Sequence, residues 1–159
     1  MNFLELNLAD GRKLDIPPYA VQFLEGLDPE SRKANPGCKS GLFYDVGGVQ
    51  PSAGGSFSQS TLQSALVTDE FAELAKAVRL ATPCPRVELT TAHGEGVLIE
   101  TGRIVAIREL AEDHPNGAKC CISHRIGERV LPLDVKQTRD EIRKAMEESV
   151  PAPPSPSEK

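Results

Sequence analysis

The sequence predicts an α+β fold made of two similar small antiparallel β-sheet units, each ending in an amphipathic helix, packed together. Three observations predict it. Short stretches alternate apolar with polar residues and break at glycine; two later stretches carry helical apolar spacing; and the series recurs once along the chain. Leu4-Glu5-Leu6 returns as Val87-Glu88-Leu89, Asp10-Gly11 as His93-Gly94, Ile16 as Ile99, Val21 as Ile104, Leu24 as Ile107 and Leu27 as Leu110, each 83 residues on. Val67, Glu73, Leu74, Lys76, Ala77 and Val78 return as Val135, Glu141, Ile142, Lys144, Ala145 and Met146, now 68 residues on. The first copy therefore holds fifteen extra residues, 83 against 68, and the Gly/Ser-rich stretch around Gly47–Ser56 has the composition of the loop that would hold them. The expected units are residues 1–80, with a Gly/Ser-rich loop at 47–63, and residues 84–148, followed by a proline-rich disordered tail at 149–159.

Each element has a local reason. Leu4, Leu6 and Leu8 alternate with Glu5 and Asn7, the period of a strand buried on one face. Asp10-Gly11 supplies the positive φ of a tight hairpin turn, and Leu14 and Ile16 alternate on the returning strand until Pro17-Pro18, which lacks ladder donors, ends it. Val21, Leu24 and Leu27 fit either a short helical turn or a strand, while the equivalent Ile104, Val105 and Ile107 are β-branched and read as a strand. Gly41–Asp45 forms a fourth element, matched by Lys119–Ser123, after which a turn at Ile126-Gly127-Glu128 leads to a strand near Arg129-Val130-Leu131. Phe71, Leu74, Ala75 and Val78 share one helix face, as do Ile142, Ala145 and Met146. Thr68 is placed to cap the first helix; Thr138 with Glu141 has the spacing of a capping box on the second. About 65 residues per unit is marginal for a separate core, so the units are expected to pack together or to associate with other copies.

The second unit resembles a known family. Val87-Glu88-Leu89-Thr90, Gly94, Ile99, Ile104, Ile107 and Val135-Lys136-Gln137-Thr138-Arg139-Asp140-Glu141-Ile142 are similar to the FlbD-type small β-rich proteins, the flagellar or swarming-motility proteins with short phage-encoded relatives. The likeness covers about 60 residues of the second copy and extends more faintly to the first. It implies a small accessory module, here as two divergent tandem copies, and it carries no catalytic residues.

Composition excludes several classes. With 18 Lys+Arg against 23 Asp+Glu the chain has a net charge of −5, and no lysine-rich tail offers to neutralise phosphates. All seven aromatic residues lie between Phe3 and Phe71, whereas Arg103, Arg108, Lys119, Arg125 and Arg129 lie in the second copy, so base stacking beside cations is not expected. The apolar runs are too short for a transmembrane helix and the opening Met1–Asn7 has no secretory pattern, which leaves a cytoplasmic location as the expectation. Cys120-Cys121 beside His124, with Cys38 and Cys84, lacks C-x-x-C spacing, and neighbours in a strand point to opposite faces. No metal or cofactor is expected. Pro36–Gly41 lacks the order of a phosphate loop, and no Gly-x-Ser-x-Gly elbow supplies a nucleophile, so no enzyme is expected either.

What remains is binding. The first expectation is a non-enzymatic accessory module acting through protein–protein contact or self-association, because marginal cores and unpaired sheet edges favour it. The alternatives are a virion structural component and a sequestering protein for a nucleotide or other small anion. The anion would be held by Arg103, Lys119, His124, Arg125 and Arg129, since two or three well-placed cations suffice for one phosphate.

Overall fold

A computed structural model describes residues 3–45, 47 and 61–150 of the chain. Most of the expected 47–63 loop and all but the start of the 149–159 tail lie outside the described residues. The first half runs β1 (Leu4–Asn7), β2 (Lys13–Ile16), a 3₁₀ turn at Pro18–Ala20, β3 (Val21–Gly26), α1 (Pro29–Ala34), β4 (Ser40–Asp45), β5 (Leu62–Val67) and α2 (Phe71–Ala81). The second runs β6 (Arg86–Thr90), β7 (Gly96–Glu100), a 3₁₀ turn at Thr101–Arg103, β8 (Ile104–Glu109), a 3₁₀ turn at Pro115–Gly117, β9 (Cys120–Ile126), β10 (Arg129–Val135) and α3 (Arg139–Ser149). The class is α+β with antiparallel sheets, as expected.

Local chemistry explains the turns and helix ends. Gly11 and Gly94 take φ of 89° and 92°, and their N–H groups close the hairpins onto the Leu8 and Thr91 carbonyls at 3.0 and 2.9 Å. α3 carries the expected capping box: Glu141 N–H donates to the Thr138 hydroxyl while the Glu141 carboxylate accepts from Thr138 N–H. The cap of α2 differs from expectation. Its N-cap is Glu70, with no side-chain bond, and the Thr68 hydroxyl instead donates to the Asn7 carbonyl. Asp69 is drawn away too, accepting from both the backbone and side-chain nitrogens of Asn7 at 2.8 Å. α1 lies outside the elements expected from the sequence, although Asp28-Pro29 begins it in the usual manner, with Asp28 accepting from Ser31 N–H at 2.7 Å.

Hydrogen bonding joins strands across the two halves. One five-stranded sheet has the order β5-β4-β3-β7-β6, so the second half's first hairpin continues the first half's sheet. β1-β2 forms a hairpin and β10-β9-β8 a three-stranded sheet. Two isolated bridges connect these pieces, Leu8 to Val67 and Thr91 to Val135. The ten strands of the described residues therefore follow one another in a single ribbon, β2-β1-β5-β4-β3-β7-β6-β10-β9-β8, with β2 and β8 at its ends.

The five-stranded sheet separates two cores. Leu24 and Leu98 face a core made with Leu4, Leu6, Ile16, Leu42, Val67 and the α2 residues Leu74, Ala75 and Val78. Phe23, Val97 and Ile99 face the other, made with Val87, Leu89, Ile122, Ile126, Val135 and Ile142 of α3. Burial on both faces is why Val97-Leu98-Ile99 is apolar without alternation. At this seam Phe23 lies opposite Ile99 and Leu24 opposite Leu98. Arg86 fastens it from one end: its side chain is 2% exposed and donates to the Val21 carbonyl at 2.9 Å, with the Glu100 carboxylate 3.8 Å away.

Candidate functional site

β8 is the least covered strand of the ribbon. Its β-branched residues extend the chain, and Ile104 and Ile107 pack on the second core while Val105, Ala106, Arg108 and Glu109 stay exposed. β9 takes one side of it: Ile104 lies opposite His124, Ala106 opposite Ser123 and Glu109 opposite Cys120, with a bulge at Val105. Among the described residues no strand takes the other side, which leaves a row of backbone N–H and C=O groups open. Val105 is 50% exposed on this edge, and Val130 on the adjoining β9-β10 hairpin is 51% exposed. Among the described residues β2 is the other open edge. It presents Lys13 and Asp15 to solvent while Ile16 holds it to the first core.

The five cationic residues expected to hold an anion are not brought together. Arg103 is matched by Glu100 at 3.3 Å. Lys119 precedes β9, whereas His124 and Arg125 lie near its far end. Arg125 is opposite Val130 and Arg129 opposite Ile126, so the two arginines flank the turn on opposite faces of the hairpin. His124 points inward. It is 3% exposed and stacks on Phe23 with ring centroids 5.0 Å apart and an interplanar angle of 19°. Burial pushes its pKa below the usual histidine range, and its Nδ1 has no hydrogen-bond partner among the described residues.

A cleft of about 400 Å³ lies at the seam between the halves, and sequence reasoning missed it. Glu25 and Asp28 come from the end of β3 and the start of α1, His93 and Glu95 from the β6-β7 turn, and His114 and Asp134 from the wall of the three-stranded sheet. Burial and the neighbouring Asp28 raise the Glu25 pKa, whereas the Ser31 N–H bond holds Asp28 low. His114 Nε2 and Asp134 Oδ2 are 3.0 Å apart. The lining has carboxylates and imidazoles but no lysine or arginine, so its field disfavours an anion there. The groups come from segments about 110 residues apart, between Glu25 and Asp134, and no local spacing announces them. Among the described residues no group of three or more His, Cys, Asp or Glu side chains is placed to hold a metal ion. Cys38, Cys120 and Cys121 are buried and free, and burial pushes the Cys120 thiol up, away from nucleophilic thiolate.

No protein-family model, curated protein or solved structure matches this chain. Among the described residues no helix is long and apolar enough to cross a membrane.

Proposed function

We propose that the chain is a tandem pair of related units and works as a non-enzymatic accessory module through protein–protein contact. Several correspondences support the pairing of units. The bridge Leu8–Val67 corresponds to Thr91–Val135 at the spacings of 83 and 68 found in the sequence. The bulge between Val21 and Phe23 corresponds to the one between Ile104 and Ala106. Asp69 accepts from Asn7 N–H and Gln137 from Thr90 N–H, at 2.8 and 2.9 Å, so even a side-chain tie between hairpin and helix start has its counterpart. The resemblance to the FlbD-type accessory proteins agrees with this reading, which needs no catalytic residues.

The observation that carries the functional reading is the open β8 edge. β3, the corresponding strand of the first unit, has a neighbour on each side, β4 and β7; β8 has only β9 among the described residues. Strand addition to such an edge gives affinity through backbone hydrogen bonds and selectivity through alternate side chains. The acidic seam cleft suits a cationic side chain of a partner, a better match than a nucleotide. Size-exclusion chromatography with light scattering, on the protein alone and as purified from its host, tests the proposal. Stable association with itself or another protein is expected; a strictly monomeric, partner-free chain contradicts it.

A further inference from the structure

We infer that the β8 edge is occupied by β2 of a second copy, and that two copies close reciprocally into a dimer with no open strand edge. The inference rests on the reading of β8 as a protein-binding edge and adds the identity of its occupant. The template is within the chain. β3 takes β7 with Phe23 opposite Ile99, Leu24 opposite Leu98 and Glu25 opposite Val97. Moving each residue by 83 turns this junction into β8 with β2: Ala106 opposite Ile16, Ile107 opposite Asp15 and Arg108 opposite Leu14. One step further along sets Glu109 opposite Lys13, an attractive cross-strand pair for which Lys13 turns from Glu5, 3.4 Å away, and Glu109 from Arg139, 3.7 Å away.

The two free ends of the ribbon are thus the two halves of a junction already made once in the middle. Residue chemistry says why the second junction belongs between chains. The inner one sets Phe23, Leu24, Leu98 and Ile99 between two cores, with Phe23 4% exposed and the other three at 1% or less. The outer one has Ala106 for Phe23 and Asp15 for Leu98, with Lys13, Asp15, Ala106, Arg108 and Glu109 all exposed. Such a mixed surface is soluble when unpaired and can still form an interface with a polar rim. One contact alone would extend head to tail into a filament, whereas two reciprocal contacts related by a two-fold axis close the assembly.

Cross-linking between separately made variants tests this in the full chain. With half-buried Cys84 changed to serine, and Cys120, which lies opposite Glu109, changed to alanine, K13C protein and E109C protein are mixed and oxidised. A disulfide-linked species of twice 17.1 kDa is expected from the mixture and not from either variant alone. Lys13→Glu should weaken dimerisation about tenfold, since both reciprocal pairs become repulsive, and adding Glu109→Lys should restore it. Association that persists without the Lys13–Glu109 link overturns the β2 occupant and leaves the contact reading standing. Linkage within one chain of a K13C/E109C double variant overturns the second copy. No association at all overturns both.

Discussion

His124 and Arg86 show how single side chains set the cost of the seam. A buried imidazole whose Nδ1 has no partner among the described residues keeps the stack on Phe23 but loses a hydrogen bond it would make in water. His124→Phe should therefore preserve the stack and raise stability by about 1 kcal/mol, measured by urea denaturation at pH 7. The same substitution has a pH signature. The folded-state pKa lies below the unfolded value near 6.5, so the unfolded chain binds more protons, and stability falls as pH drops through 6.5. The loss is at most about 1.4 kcal/mol per pH unit, and the variant should lack this component below pH 6.5. Arg86→Met leaves the buried Val21 carbonyl without its side-chain donor and should destabilise by about 2–3 kcal/mol in the same assay. Neither role was legible in the sequence. His124 reads there as a cation beside arginines because alternation in a strand is blind to which face meets the core, and no local spacing marks Arg86, whose partners Val21 and Glu100 come from other strands.

Helices and hairpins were legible where the signal is local. Gly11 and Gly94 sit where the backbone needs positive φ, and Thr138 with Glu141 forms both bonds of its capping box. Thr138→Ala should cost about 1 kcal/mol in thermal or urea unfolding, with little change at the far end of α3. The prediction for Thr68 misplaces the helix start because Asn7, 61 residues earlier, takes both the Thr68 hydroxyl and the Asp69 carboxylate. A tertiary partner overrides a local cap. β5 was hidden for a related reason: Leu62 and Gln63 adjoin the Gly/Ser-rich loop, and pairing with β4 extends the strand back to Leu62 opposite Asp45. The start of α1 is legible too, since Asp28-Pro29-Glu30 pairs an N-cap acceptor with a proline at the first helical position.

At the scale of the whole molecule, the alternation and repeat suggest two sheets side by side, and the hydrogen bonds make one ribbon that changes halves at β3-β7. Strand partners are set by which apolar faces meet, and a sequence with two similar apolar patterns leaves open whether each hairpin stays at home. Phe23 and Leu98 decide it, since each faces the core made mainly by the other half. One consequence is cooperativity: the halves should unfold in a single transition, with tertiary and secondary probes coincident, and a first transition confined to one half would contradict the shared cores.

The open ends of the ribbon are best tested by amide hydrogen exchange followed residue by residue as the protein is diluted. The outward amides of β8, Ile104–Glu109, should be slow in concentrated protein and become fast on dilution, while those between β3 and β7 remain slow throughout. Fast exchange along β8 at every concentration, with β3 and β7 unchanged, would contradict an edge made to be covered by another copy.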